Sequence, residues 1–351
     1  MLKDNPFSLI FGKEPQLIIK RKSQFEEIKD TFSLDNPPTY AYLITGVRGS
    51  GKTVLLSSLC KQFENRDDFI VIELNPELDM LEYLASSIYE QSRFKFKFAK
   101  KSFSFSFSGL SFSISGDRPI SNVITLLDIM LSELAKQNIK VLIAVDDVSN
   151  NDKTKALVHQ YQIFLRQGYQ IFLLMTGLYE NIRSLQNEKN STFLYRTPRI
   201  QLDSLSIVDI SFSFKKYLNV DEDFSIQLAK LTNGYAYAYQ VLGYLCYEHK
   251  YTFISNDLLD EYDRYLREYV YEKLYSDTPN YEKELLKAIA KSKKNTTEEI
   301  LKICGFKKYN YSKYRDNLIK KGLLISNKWG TLDFALPRFK EYVLMMIKFE
   351  D

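Results

Sequence analysis

Cysteine and histidine are scarce in this chain: of 351 residues, three are cysteine and two are histidine. Cys60, Cys246 and Cys304 lie far apart, none forms a C-x-x-C pair, and only His159 and His249 could help complete a ligand set. That spacing argues against a zinc site. The thiols are expected to pack as small apolar side chains in a reducing compartment. Long apolar runs are also missing. No stretch approaches 18 uninterrupted apolar residues, so no membrane span is expected. The opening Met1-Leu2-Lys3-Asp4-Asn5-Pro6 has no apolar core of a secretory signal, and the expected location is the cytoplasm. A large charge excess is absent too. A net charge of +4 excludes a uniformly basic coat for nucleic acid but leaves room for a local basic patch.

What is present suits cored domains: 45% apolar and 26% charged residues over a length that suggests two or three of them. The most informative stretch is residues 40–56. An apolar strand, Tyr40-Ala41-Tyr42-Leu43-Ile44-Thr45, runs into Gly46-Val47-Arg48-Gly49-Ser50-Gly51-Lys52-Thr53-Val54, and a helix is predicted to follow. Gly46-x-x-x-x-Gly51-Lys52-Thr53 is a Walker A pattern. Glycines let backbone N–H groups converge on phosphate oxygens, and the helix N-terminus adds its positive dipole end. In this pattern Gly46 to Val54 bind nucleotide, Lys52 reaches the β- and γ-phosphates, and the Thr53 hydroxyl ligates Mg2+.

Before this motif, Asn5-Pro6-Phe7 and Leu17-Ile18-Ile19 suggest an extended arm packed on a domain. Ser23-x-x-Glu26 then reads as a capping box opening a helix with Phe25, Ile28 and Phe32 on one face. After it, Phe69–Leu74 reads as a buried strand, and Leu78, Leu81, Leu84 and Ile88 mark a helix. Residues 94–115 alternate phenylalanine with lysine and then serine at period two, which predicts a β-hairpin with one phenylalanine face. That face packs on its own domain, serves a partner or self-assembly edge, or stacks on single-stranded nucleic acid.

An amphipathic helix is predicted over 120–137, followed by the strand Lys140-Val141-Leu142-Ile143-Ala144-Val145 ending in Asp146-Asp147. Ligands of parallel sheets bind at that strand end, so this is a Walker B pattern. Asp146 would hold Mg2+, directly or through water, and Asp147 occupies the place of the group that polarises the attacking water. A helix over about 152–167 leads to the strand Tyr169–Gly177, where Thr176 is placed to sense the γ-phosphate or its water. Strands and crossovers alternate throughout 40–180, which predicts a parallel α/β sheet.

This order of parts resembles the AAA+ ATPases, and within them the origin-recognition-like and STAND-like ATPases of bacteria and archaea. Asn5-Pro6-Phe7, Phe11-Gly12 and Lys20-Arg21-Lys22 resemble the N-terminal arm of that group, which contacts the adenine and brings Arg21 to the nucleotide. Thr176-Gly177-Leu178 resembles its sensor 1 strand end. Ser191–Arg196 resembles the stretch carrying an arginine that acts on its own nucleotide or a neighbour's, and Arg196 takes that part here unless it makes a structural salt bridge. Thr232–Gln240 resembles the start of a lid helix. Three departures bear on function, one of them Ala236 where the group usually has a proline after Gly-x. Asp147 stands where many members have the longer Glu, which implies slow hydrolysis. No arginine occurs in 234–240, where many members place sensor 2, which favours the STAND-like side.

Residues 204–275 read as all helical. Tyr235, Tyr239 and Leu242 have the spacing of a core face, and Tyr262–Tyr269 reads as a long connector. Beyond Asp277-Thr278-Pro279-Asn280 come a helix with Leu285, Leu286 and Ile289, a second capping box at Thr296-x-x-Glu299, a helix over about 311–321, and a hairpin across 323–334. Three helices and a hairpin make a winged helix. From 281 to 328 there are 13 Lys and Arg against 5 Asp and Glu, a net of +8 that leaves −4 for the rest of a +4 chain. Lys313, Arg315, Lys320 and Lys321 lie on or beside the recognition helix and suit DNA phosphates, while a protein-binding winged helix is the alternative.

The expected fold is therefore an α/β P-loop NTPase, a parallel sheet with flanking helices, plus an all-α lid and a C-terminal winged-helix domain. The expected boundaries are 1–203 for the ATPase domain with its 94–115 insertion, 204–276 for the lid and 277–351 for the winged helix. The expected function is an ATP- and Mg2+-dependent switch with slow hydrolysis. Lys52, Asp147, Thr176 and Arg196 would be its catalytic residues. The expected partners are double-stranded DNA and, through 94–115, a second copy or another protein. The alternative is a signalling or defence switch whose winged helix binds protein.

Overall fold

The computed structural model describes residues 4–10, 15–90, 104–107, 110–113, 122–189, 192–326 and 330–350. The chain divides into two compact units: one comprises Lys22–Thr45 and Leu55–Gln201, the other Met1–Arg21, Gly46–Val54 and Leu202–Asp351.

The first unit is the sheet. Its elements run α1 (Lys22–Ser33), β1 (Ala41–Thr45), α2 (Lys52–Glu64, whose first turn belongs to the other unit), β2 (Phe69–Leu74), α3 (Met80–Glu90), β3 (Ser104–Phe107), β4 (Leu110–Ser113), α4 (Val123–Ala135), β5 (Lys140–Val145), α5 (Asp152–Arg166), β6 (Ile171–Gly177), α6 (Tyr179–Gln186) and β7 (Arg199–Gln201). Five strands pair in parallel in the order β2-β5-β6-β1-β7. Strands β1, β5 and β6 are buried along their whole length, as a parallel sheet covered on both faces requires. Alternation sorts their side chains. Leu43, Ile143 and Leu173 join Leu84, Ile88, Leu127 and Tyr161 on one face. Tyr42 and Phe172 meet Phe32, Phe63 and Phe69 on the other, with Phe32 4.8 Å from Phe172. The expected α/β fold is present.

Strand β7 has no sequence signal, being three residues with one buried side chain. The first capping box is not formed as read. Helix α1 begins at Lys22, and the Ser23 hydroxyl donates to Gln24 Oε1. Of the phenylalanine-rich hairpin, β3 and β4 pair antiparallel with Phe105 opposite Phe112, as a sheet of their own. Residues 94–103, 108–109 and 114–115 of that expectation lie outside the described residues.

The second unit is helical from residue 207. It holds α7 (Ile207–Phe214), a π turn (Lys215–Asn219), α8 (Glu222–Leu231), α9 (Ala236–His249), α10 (Asn256–Leu266), a second π turn (Arg267–Tyr271) and α11 (Glu272–Ser276). Then come α12 (Asn280–Lys291), α13 (Thr297–Cys304), α14 (Lys308–Lys320), the antiparallel pair β8 (Leu324–Ile325) and β9 (Asp333–Phe334), and α15 (Phe339–Glu350). A further antiparallel bridge, Thr296 to Thr331, ties the segment before α13 to the wing. This is the expected winged helix with one helix added at its end.

One continuous core unites this unit. It contains Phe7, Leu228, Val241, Leu242, Tyr262, Leu285, Ile289, Ile300, Leu318, Phe339 and Val343. Phe7 lies over Gly243 and 5.5 Å from Tyr239, so the N-terminal arm is pinned to α9. Asn233 Nδ2 donates to Ala335 O (2.8 Å), and Arg338 makes a two-pronged pair with Asp263 (2.7 and 2.5 Å). Cys60 and Cys246 are buried, Cys304 is half-buried, and all three are free thiols. Among the described residues no helix is long and apolar enough to cross a membrane.

Candidate nucleotide-binding site

Residues 46–51 leave β1 directly, and α2 starts at Lys52, so the strand, turn and helix required by the Walker A reading are in place. Every carbonyl from Gly46 to Ser50 accepts a hydrogen bond. Lys52 Nζ donates to Gly46 O (3.1 Å) and Val47 O (3.0 Å). The Tyr235 hydroxyl donates to Arg48 O (2.5 Å), and the Tyr237 N–H donates to Gly49 O (3.1 Å). Arg21 Nη2 donates to Ser50 O (3.0 Å). In a planar trans peptide the N–H points opposite to the C=O. Holding these carbonyls therefore turns the N–H groups of Val47, Arg48, Gly49 and Gly51 the other way, which is the arrangement a phosphate needs, while the Ser50 N–H closes the turn on Val47 O (3.2 Å).

Gly49 sits at φ +74°, and a Cβ there would run into the Tyr235 hydroxyl, so no other residue fits that position without displacement. The Ser50 hydroxyl is buried and has no hydrogen-bond partner among the described residues. These features fit a nucleotide phosphate. Thr53 and Val54 occupy the first turn of α2.

Arg21 is half-buried, with its second prong on Asp203 O (2.6 Å). Burial lowers its pKa, against the opposing pull of the Asp203 carboxylate. Its described bonds go to main-chain carbonyls of the loop and of residue 203, so it supports the loop.

At the C-terminal end of the sheet, Asp146 follows β5 half-buried, and Asp147 is exposed in the left-handed region at φ +51°. Thr176, the penultimate residue of β6, is fully buried and links the two. Its hydroxyl donates to Asp146 Oδ1 and accepts from the Asp147 N–H (3.0 Å), while its carbonyl accepts from the Val148 N–H (2.8 Å). A hydroxyl has one proton to give, and here Thr176 gives it to Asp146. Arg196 is exposed after the 3-10 turn Thr192–Tyr195, with no carboxylate in salt-bridge range among the described residues.

The four basic residues read for DNA separate into two kinds. Lys313 and Lys320 are exposed on α14. Lys321 is instead paired with the buried Glu282 (2.5 Å), whose other oxygen accepts from Asn317 (3.1 Å). Arg315 is paired with Asp316 (2.8 Å).

Sequence reasoning missed Tyr235 and Tyr237 as supports of the loop. Tyr235 and Tyr239 are core residues, as their spacing predicts, but no pattern announces that one hydroxyl also reaches a carbonyl 187 positions away.

Comparison with solved structures places this architecture. The Aeropyrum pernix ORC2 protein, solved as ADPNP–ADP complexes, is similar over 97% of each chain at 14% identity and a TM-score of 0.58. Its ADP form gives 0.52. Cdc6p from Pyrobaculum aerophilum is similar over 97% of each chain at 17% identity and a TM-score of 0.50. The chain shares the fold of these structures: a P-loop-type parallel sheet followed by helical and winged-helix regions. Residues 268–343 match the model of a domain of unknown function (DUF8462). No curated protein sequence matches the chain.

Proposed function

We propose that this protein is an ATP-binding switch of the AAA+ initiator type, with slow hydrolysis and a winged helix that binds double-stranded DNA. The observation that carries this reading is the loop 46–50, whose carbonyls are all held by the protein so that the N–H groups of Val47, Arg48, Gly49 and Gly51 point away from those bonds, toward where phosphate would sit. The similarity in fold to an ORC2 protein solved with ADPNP and ADP supports it. On this reading Lys52 leaves the Gly46 and Val47 carbonyls for the β- and γ-phosphates. Thr53 and Asp146 are the residues that would hold Mg2+, which would supply charge neutralisation at the phosphates.

Asp147 orients the attacking water, and its short side chain keeps turnover slow. Thr176 acts by holding Asp146, and the exposed Arg196 is available to its own or a neighbour's nucleotide. We divide the chain functionally into an ATPase domain (1–203), a lid (204–276) and a winged helix (277–351). Nucleotide state sets the lid, and the lid carries the winged helix to or from DNA.

A second reading, in which the winged helix binds protein, is favoured by one observation. Of the four basic side chains read for DNA, Lys321 and Arg315 are already paired with carboxylates.

Titration calorimetry with Mg-ATP tests the central claim. The protein should bind at micromolar concentration or tighter, and Lys52→Ala should abolish binding while leaving the circular dichroism spectrum unchanged. Equal binding by both proteins would sink the claim.

A further inference from the structure

The carbonyl side of the loop is held from two distant parts of the chain, the arm and the start of α9, and each support aims one N–H. The Arg48 carbonyl shares a peptide plane with the Gly49 N–H, so the Tyr235 hydroxyl bond to Arg48 O fixes where the Gly49 N–H points. The Ser50 carbonyl, held by Arg21, does the same for the Gly51 N–H. Lys52 holds the Gly46 and Val47 carbonyls, but Lys52 is the side chain that turns to phosphate, so those bonds are lost when nucleotide binds. The supports from Tyr235 and Arg21 can persist.

Tyr235 is suited to this part. It is 5% exposed and packs edge-on against Tyr237 at 6.4 Å, so its ring has one place to be. Burial pushes its phenol far above the usual range, so it remains a donor at any working pH. Its approach is set by Gly234, at φ +73°, whose missing Cβ makes room for Leu205 O 2.6 Å from where it would stand. The Leu205 N–H in turn donates to Gly234 O (2.7 Å). The turn into α9 is thereby locked, and the tyrosine after it meets the loop.

We propose that Tyr235 is a positioning residue for nucleotide phosphate, presenting the Gly49 N–H to the phosphate chain through its bond to the Arg48 carbonyl. The inference rests on the ATP-binding reading and deepens it. The stretch that lacks a basic residue for the phosphates acts on them through the loop, from behind. Phosphate recognition thus depends on a lid residue that touches no phosphate.

The test compares Tyr235→Phe with the wild-type full-length chain, using Mg-ADP and adenosine as separate probes of the phosphate cradle and the base site. Loss of one hydrogen bond should raise the Kd for Mg-ADP about three- to tenfold and leave the Kd for adenosine unchanged. Tyr239→Phe serves as control. It removes another buried hydroxyl, one bonded to Ser213 at 2.6 Å, and should keep wild-type affinity for both probes. Unchanged Mg-ADP affinity in Tyr235→Phe, or a proportional loss of both probes, would overturn the inference. If Lys52→Ala loses Mg-ADP while Tyr235→Phe retains it, the inference alone fails. If the wild-type chain binds no Mg-ADP, the reading beneath it fails as well.

Discussion

Lys313 and Lys321 look alike in sequence, as two lysines of one basic helix region, yet the structure gives them opposite duties. Lys313 is exposed. Lys321 keeps 13% of its side chain exposed and meets Glu282, which keeps 5%. Removing one partner of such a pair leaves an unpaired charge in the interior, which costs about 3–5 kcal/mol. Lys321→Met should therefore destabilise the protein by about that amount in urea unfolding, whereas Lys313→Ala should change stability by less than about 0.5 kcal/mol. Equal, small effects from both would show that the Glu282 pair is not buried as described. The sequence could not separate the two lysines because the difference lies in a carboxylate 39 positions away. The same holds for Thr176: the sequence places it at a strand end, but not with its single proton on Asp146. Residue types and strand ends were legible; the partner of each polar atom was not.

At the scale of elements, legibility followed periodicity. Strands β1, β5 and β6 announce themselves as apolar runs because both faces are covered, the edge strand β2 does so with only Glu73 exposed, and the helices of 207–276 and the three winged-helix helices announce theirs by spacing. Strand β7 is too short to carry a pattern and is recruited by pairing with β1. Caps were half legible. Thr296 does cap α13, accepting from the Glu299 N–H (3.4 Å), but Glu299 does not reach back as a capping box would. It accepts instead from the Ser292 hydroxyl (2.6 Å) and the N–H groups of Lys293 (3.1 Å) and Lys294 (2.8 Å), closing the turn between α12 and α13. These bonds, the Ser292 hydroxyl first, lower its pKa from 4.5 to about 2. A carboxylate depressed on folding adds stability above its unfolded pKa, and that contribution fades as pH falls toward the folded value. The melting temperature should therefore drop between about pH 4.5 and 2 through this group, and Glu299→Gln should flatten the curve in that window. Parallel curves for the two proteins would remove Glu299 from the acid response.

At the scale of the whole molecule, charge and contact are distributed differently from the order of the sequence. Residues 46–54 cluster with the C-terminal unit, because Arg21, Tyr235 and Tyr237 hold them there, and no local pattern encodes contacts of that span. Charge is similarly uneven: +8 of the formal charge lies in residues 281–328 of a chain that totals +4. A partner with negative charge would meet that region against a remainder that repels it, so binding should be local and strongly salt-dependent. Each phosphate contact contributes about 0.9 to the slope of log K against log salt on duplex DNA. Lys313 and Lys320 are the exposed pair on α14. Replacing both with alanine should lower the slope by about 2 and weaken binding uniformly across sequences, since phosphate contacts carry no base information. Fluorescence anisotropy with a labelled duplex, titrated from about 50 to 200 mM salt, reads both quantities. A slope unchanged by the double substitution would move DNA off this helix. No binding at the lowest salt, with or without Mg-ATP, would assign the winged helix to a protein partner, for which an exposed basic face paired at its edges by Asp316 and Glu282 is an equally sound surface.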